Sequence, residues 1–323
     1  MSEKIKWGVL STANIGVKHV IPAMQNGELT EVVAISSRNI TRAEDAANKL
    51  GIPKAYGSYE DLLADDEIDA IYNPLPNDMH IPWTKRAMEA GKHVLCEKPI
   101  GLNVKETEDL IKFTQKYPHL KVMEAFMYRF HPQWDIVKSW ISVGMIGEVN
   151  AIQSAFTYHN TNPEDYRNKP EMGGGGLLDI GCYCISSARY IFEAEPQNIL
   201  STVDLDPEFG IDRHALAILE FPGGTASIYC STQSSPDQNM TIYGSEGVIQ
   251  FEIPFNPLKK EVSVTLIQDG KVIEKKKVQA NHYTLQGDAF SEAILEDGPV
   301  PTPLEDAVAN LRVIEKILNE GRK

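Results

Sequence analysis

The sequence predicts an α/β chain in two parts. A doubly wound parallel sheet is expected over residues 1–123, and an α+β domain with a large, mostly antiparallel sheet over 124–323. Three observations carry this. Over the first ~120 residues, short apolar runs alternate with helix-start signals at the spacing of βαβ units. Beyond that the apolar runs lengthen and alternate with polar residues, as in half-buried strands. Asp269-Gly270 between two such runs marks a hairpin turn.

In order along the first part, Ile5 to Leu10 reads as a strand and Ile15 to Gln25 as a helix that Pro22 disturbs. Glu31 to Ser37 is a β-rich run. Thr41 with Glu44, and Ser58 with Asp61, are helix-start pairs. Asp69 to Asn73 is a strand, Asp78 to Ala90 a helix stopped by Gly91, and His93 to Cys96 a buried strand. Asn103 and Glu106 cap a further helix, and Lys121 to Ala125 is a further strand.

In the second part a helix is expected near Pro132 to Val143 and a strand from Val149 to His159. Four glycines, Gly173 to Gly176, precede a helical stretch to Phe192. Ordering four glycines is costly, which suggests backbone passing close to a ligand or another chain. His214 to Val278 reads as antiparallel sheet, and Pro303 to Lys323 as a closing amphipathic helix.

Composition limits the function classes. The chain has 323 residues, 42% hydrophobic, with a net charge of −14, which disfavours a nucleic-acid surface. No apolar run approaches the ~20 residues of a membrane span, and no signal peptide precedes the first strand. Cys96, Cys182, Cys184 and Cys230 lack C-x-x-C spacing and read as reduced thiols in a cytoplasmic protein. Histidine and cysteine spacing suggests no metal site.

The turn from Gly8 to Gly16 has Ser11 and Ala13 where a dinucleotide fingerprint has glycines. Both are small, so a pyrophosphate could approach the backbone of Ser11, Thr12, Ala13, Asn14 and Ile15 at a helix N-terminus. An ordinary tight βα turn fits equally well. After the second strand, Ser37-Arg38 stands where an NAD enzyme would carry an acidic residue. A hydroxyl and a guanidinium suit a 2′-phosphate, so NADP is preferred with NAD possible. A solvated Arg38 is the alternative. Lys98, in Glu97-Lys98-Pro99, follows a strand where open α/β sheets place ligands. It is either a solvated loop cation or a working group. Asp179 and Tyr183, at i and i+4, would share a helix face, either to orient a site or as a buried structural hydrogen bond.

The small-residue turn, Asn73-Pro74-Leu75-Pro76-Asn77-Asp78-Met79-His80, Glu97-Lys98-Pro99, Glu124-Ala125-Phe126-Met127-Tyr128-Arg129 and the glycine-rich run through Asp179 and Tyr183 occur in this order. Together, over essentially the whole chain, they resemble the glucose–fructose oxidoreductase / inositol dehydrogenase / rhizopine-catabolism family. The likeness is greatest to its dimeric dihydrodiol dehydrogenase and NADP-dependent D-xylose dehydrogenase branch. Inositol-dehydrogenase-like members carry histidine where this chain has Tyr183.

The resemblance implies a Rossmann domain and hydride transfer between NADP(H) and a sugar, polyol or cyclic diol in either direction. It implies Lys98 and Tyr183 at the nicotinamide and substrate, with Tyr183 as general acid/base. A free phenol titrates near ~10, and Lys98 would lower that value. Asp179 is the third catalytic candidate. Ser11 to Ile15, Ser37, Arg38, Asn73, Leu75, Pro76, Asn77, His80, Glu97, Lys98 and Arg129 are the implied cofactor contacts. Tyr166, Arg167 and Tyr283 are weaker candidates for the pocket wall. A homodimer or homotetramer is expected. The competing class is a nucleotide-sensing regulator of the same fold without turnover.

Overall fold

The computed structural model describes residues 3–321. Met1, Ser2, Arg322 and Lys323, at the ends of the two expected domains and of the closing helix, lie outside the described residues. The chain forms two compact units, Met1–Phe130 with Asn281–Val308, and His131–Ala280 with Ala309–Lys323.

In the first unit, β1 (Ile5–Val9) leads into helical residues 14–24, which comprise a π turn at Gly16–Val20 and α1 (Ile21–Met24). Pro22 has no N–H to bond four residues back, and the widened turn before it accommodates that loss. There follow β2 (Thr30–Ser36), α2 (Ile40–Leu50), β3 (Lys54–Tyr56), α3 (Tyr59–Leu63), β4 (Ala70–Asn73), α4 (Asn77–Glu89), β5 (His93–Glu97), α5 (Val104–Thr114) and β6 (Val122–Ala125). Ser58 and Asn103 cap α3 and α5 by accepting from the amides of Asp61 and Glu106. The cap of α2 is Asn39, accepting from Arg42 N at 3.4 Å, rather than Thr41. Asn39 precedes the helix with extended backbone, as a capping amide requires.

The sheet order is β3-β2-β1-β4-β5-β6, and every pairing is parallel. The order reverses between β1 and β4, so the loops after these two strands lie at the topological switch point.

The second unit holds α6 (Gln133–Ser142), β7 (Val149–His159), a π turn at Leu177–Gly181, α7 (Cys182–Phe192), β8 (Asn198–Leu205), β9 (Asp212–Phe221), β10 (Gly224–Ser231), β11 (Gln233–Gly244), β12 (Val248–Phe251), β13 (Glu261–Gln268) and β14 (Lys271–Gln279). Its eight-stranded sheet has the order β14-β13-β12-β11-β7-β10-β9-β8. β7 and β10 are parallel and the other pairs antiparallel. Asp269 and Gly270 both have positive φ, as a tight hairpin turn between β13 and β14 demands. The sheet reaches past its expected start at His214, because β8 is also a strand.

The chain then forms α8 (His282–Leu295) and α9 (Leu304–Glu320). Residues 281–308 pack in the first unit, so a single division at 123/124 does not describe this return. Trp7 donates to Ser291 Oγ and lies 5.7 Å from the Phe290 ring. Asp288 accepts from the amides of Glu28 and Leu29. No helix among the described residues is long and apolar enough to cross a membrane.

Candidate active site

In the first unit the loops after β1, β2, β4 and β5 carry most of the expected cofactor residues. Ser11 takes φ 69, the left-handed backbone that a glycine would adopt without strain. Its hydroxyl accepts from Ala13 N at 3.2 Å, folding the turn back on itself. First-turn amides have no intrahelical acceptor, and a helix start of this kind suits an anion. Gly16 is not demanded by packing. A Cβ there would meet Tyr72 and Pro74 at 3.6 and 3.8 Å, ordinary contacts. The close approach in β1 is at Gly8, whose Cβ would sit 2.9 Å from Leu62. After β2, Ser37 is buried and its hydroxyl accepts from Asn39 N. Arg38 is exposed, and its guanidinium counters the upward push of burial on the Tyr59 phenol. This turn, helix start, hydroxyl and cation fit a phosphorylated dinucleotide.

The loop after β4 is self-bracing. Asn73 is fully buried, donates to His80 O at 3.0 Å and accepts from Leu75 N at 3.3 Å. Pro76 precedes α4, and Asn77 opens it in a buried position. The His80 ring has no exposed surface, and both its nitrogens lie 2.7 Å from carbonyls, those of Pro99 and Leu75. Burial pushes its pKa down to about 4, against the two carbonyls, which favour the charged ring. With its ring enclosed, His80 is removed from direct cofactor contact.

After β5, Tyr72 donates to Glu97 Oε1 at 2.6 Å. The Lys98–Pro99 peptide is cis, and Lys98 is half-buried. Burial, and then Glu97, push the phenol of Tyr283 on α8 upward. Arg129 pairs with Asp306 at 2.8 Å, donates to Tyr128 Oη at 3.3 Å, and is largely buried. Its charge serves that internal ion pair, a structural explanation for a residue expected at the cofactor.

In the second unit Gly174, Gly175 and Gly176 lie close to their own chain. A Cβ at Gly174 would lie 2.5 Å from Arg167 O, and one at Gly175, where φ is 125, would run into Asp212 Oδ1. Asp212 in turn accepts from Leu177 N at 2.6 Å, fixing the start of the π turn. That turn carries Asp179, and π turns concentrate at functional sites. β7 presents Phe156 and Tyr158 on one face. The Phe156 ring lies 5.6 Å from that of Tyr183, and Phe255 lies 5.7 Å from Tyr183 and stacks on Phe156 at 5.5 Å. Tyr158 Oη donates to Asp179 Oδ2 at 2.6 Å, and Arg167 Nε reaches the same oxygen at 3.2 Å. The Arg167 guanidinium lies 4.5 Å from the Tyr166 ring. Asp179 and Tyr183 are both buried.

Tyr72, Glu124, Phe156, Tyr158 and Phe255 were not legible as site residues. Tyr158 would have needed the register of β7 on the helix. Glu124 was visible only as a letter of its motif. Among the described residues no group of three His, Cys, Asp or Glu could hold a metal ion.

A doubly wound sheet with a small-residue turn at its switch point, joined to a second unit built on a large sheet, defines a dinucleotide-binding class of oxidoreductase. The chain belongs to the glucose–fructose oxidoreductase / inositol dehydrogenase / MocA family: residues 5–126 match its NAD-binding Rossmann-fold model and residues 134–250 its C-terminal domain model. It is 36% identical to a D-xylose 1-dehydrogenase (NADP(+)) of Haloferax volcanii, covering 96% of this chain and 95% of that protein. It is also 36% identical to a trans-1,2-dihydrobenzene-1,2-diol dehydrogenase of Xenopus laevis, over 76% of this chain and 74% of that one. A 3-ketoreductase from Actinomadura kijaniata, crystallised with NADP and TDP-benzene, superposes with a TM-score of 0.91 at 29% identity, covering 99% and 98% of the two chains.

Proposed function

We propose that the chain is an NADP(H)-dependent oxidoreductase that moves hydride between nicotinamide and a carbinol or carbonyl carbon of a sugar, polyol or cyclic diol. The observation that carries this is the pinned Glu97-Lys98-Pro99 loop, which follows the strand beside the switch-point strand β4. Relatives that oxidise D-xylose or a dihydrodiol support the substrate class.

The nicotinamide group supplies the hydride acceptor or donor when bound. The turn at Ser11 to Ile15 holds the pyrophosphate, and Ser37 with Arg38 takes the 2′-phosphate. Asn73, Leu75, Pro76, Asn77 and Glu97 shape the surface beside it. Tyr183 Oη takes the hydroxyl proton in oxidation and returns it in reduction. The Lys98 ammonium stabilises the phenolate and holds the substrate oxygen. Asp179, fixed by Tyr158 and Arg167, accepts a second substrate hydroxyl. Such a role fits a polyhydroxylated substrate.

Four buried cysteines, none of them in a disulfide, support a reducing, cytoplasmic setting. Thiol titration of the denatured, unreduced protein should count all 4 of them.

Fluorescence titration with NADPH and NADH, followed by a panel of aldoses, polyols and cyclic diols, tests the reading. NADPH should bind more tightly, and Arg38→Ala should erase the difference. Lys98→Met and Tyr183→Phe should keep binding and lower turnover by about 10²–10⁴-fold. Tight binding with no turnover on any substrate would favour a nucleotide-sensing regulator. Wild-type turnover in either variant would remove the assigned roles.

A further inference from the structure

One peptide unit after Lys98 is gripped from both edges. The carbonyl of Pro99 lies 2.7 Å from His80 Nδ1, contributed by α4. The amide N–H of the same unit, on Ile100, donates to Glu124 Oε1 at 2.9 Å, contributed by β6. His80 and Ile100 have no exposed surface, and Glu124 is 3% exposed. Glu124 is anchored in turn, because Thr302 Oγ1 donates to Glu124 O at 2.6 Å. The single N–H of neutral His80 sits on Nδ1 in this arrangement, toward Pro99 O.

We propose that His80 and Glu124 are positioning residues for Lys98, acting as a two-sided clamp on the Pro99–Ile100 peptide. This rests on the catalytic role proposed for Lys98. It goes further by assigning work to a carboxyl that would not touch substrate or cofactor.

The physical argument is one of accounting. A buried carboxyl and a buried imidazole each need a compensating partner. Here both find it on one peptide of an irregular loop rather than on regular structure. Fixing that peptide removes φ/ψ freedom one residue beyond Pro99, whose ring already restricts the backbone. The half-buried lysine then leaves a backbone held from both sides, so its ammonium is placed before any ligand arrives. Pre-placement of this kind is what a site needs from the elements that support it. Glu97, tied to Tyr72, holds the other side of Lys98.

The test uses His80→Phe, Glu124→Leu, their double variant and Glu124→Gln. Two readouts are compared, kcat and the ¹³C-methyl resonance of reductively methylated Lys98 in the cofactor-free protein, assigned by its loss in Lys98→Met. Each of the first two variants should lower kcat at least about tenfold. The double variant should be no worse than the weaker single by more than about threefold, because both act on one peptide. Glu124→Gln, which keeps an acceptor oxygen, should stay within about threefold of wild type. The Lys98 resonance should move in His80→Phe and Glu124→Leu and hold in Glu124→Gln.

Multiplicative losses in the double variant, equal impairment by Gln and Leu, or an unmoved resonance would overturn the clamp. Where Glu124→Leu does not fold, the resonance in His80→Phe decides. A resonance that moves while Lys98→Met keeps full turnover would leave the clamp standing and remove the catalytic reading instead.

Discussion

Tyr158 donates to Asp179 across the gap between β7 and the π turn, at 2.6 Å. Burial and the carboxylate both push the Tyr158 phenol upward, so it remains a donor across the working pH range. Arg167 adds a second contact to the same oxygen, and Asp179 is the leading cause that pushes the guanidinium pKa further upward. The orientation of Asp179 is therefore set from two segments other than its own.

Tyr158→Phe should loosen that orientation and leave only Arg167 of these two contacts. A hydrogen bond to a charged group contributes about 1.5–3 kcal/mol, so the substrate KM should rise at least about tenfold. The NADPH Kd should not move, because the phenol serves the carboxylate and not the cofactor. Steady-state kinetics beside a binding titration separate the two. An unchanged KM accompanied only by a lower Tm would reduce the contact to a structural one.

What the sequence revealed follows from how local each signal is. Ser58 and Asn103 are caps whose partners lie three residues away, so the string alone identifies them. Five of the six parallel strands were legible because each carries its own pattern, whereas β3, three half-buried residues at the sheet edge, carries none. Helix α8 was not, because its middle holds Gly287, where a Cβ would press on Met24 and Thr30 at 3.2 Å. That glycine answers to a partner more than 250 residues away, and it weakens the helix signal. Leu200 on β8 points outward at 57% exposure, which spoils the inside–outside alternation by which a strand is recognised. The partners of Asp179 and Glu124 failed for the same reason: each is supplied by a distant segment.

The glycine run makes a stability prediction. Gly175→Ala combines a backbone angle hostile to a side chain with a collision at Asp212, the acceptor for Leu177 N. Left-handed strain and a broken buried hydrogen bond together should cost about 2–4 kcal/mol. Gly298→Ala is the control, since nothing lies within 4 Å of its Cβ and its φ is ordinary. Urea unfolding of both variants checks this. Equal midpoints would show that the run is not held by these contacts.

The outer face of the large sheet predicts association. Leu200 pairs with Ile218, Ile218 with Ser227, and Leu216 with Tyr229, placing these side chains on one face. Leu200, Leu216, Ile218 and Tyr243 are 57%, 44%, 37% and 37% exposed. Uncharged Gln153 and Ala155 continue the face on β7, opposite Thr241 and Asn239 of β11. A partly apolar sheet face of this kind, carrying charge at Glu220 and Asp204, favours burial of its apolar part against a second copy. Light scattering should give a homodimer or homotetramer, and Ile218→Asp should shift it toward monomer. A monomeric wild type at micromolar concentration would contradict the expectation.

Glu124 predicts how stability depends on pH. Burial raises its pKa to about 7, opposed by the Ile100 N–H and by the charges of Arg129 and Lys98, while Asp306 adds to the rise. An unfolded glutamate titrates near ~4.3. Between these values the folded chain holds a proton that the unfolded chain has released, so stability falls as pH rises through that window and levels off above it. Each unit corresponds to about 1.4 kcal/mol. Glu124→Gln removes the titration while keeping an acceptor for Ile100. Relative to wild type, the variant should therefore gain about 2 kcal/mol on going from pH 5.5 to pH 8. Denaturant unfolding of both proteins at the two pH values measures this. A constant difference would mean that Glu124 titrates alike in the folded and unfolded chain, and that its burial has no effect on its proton.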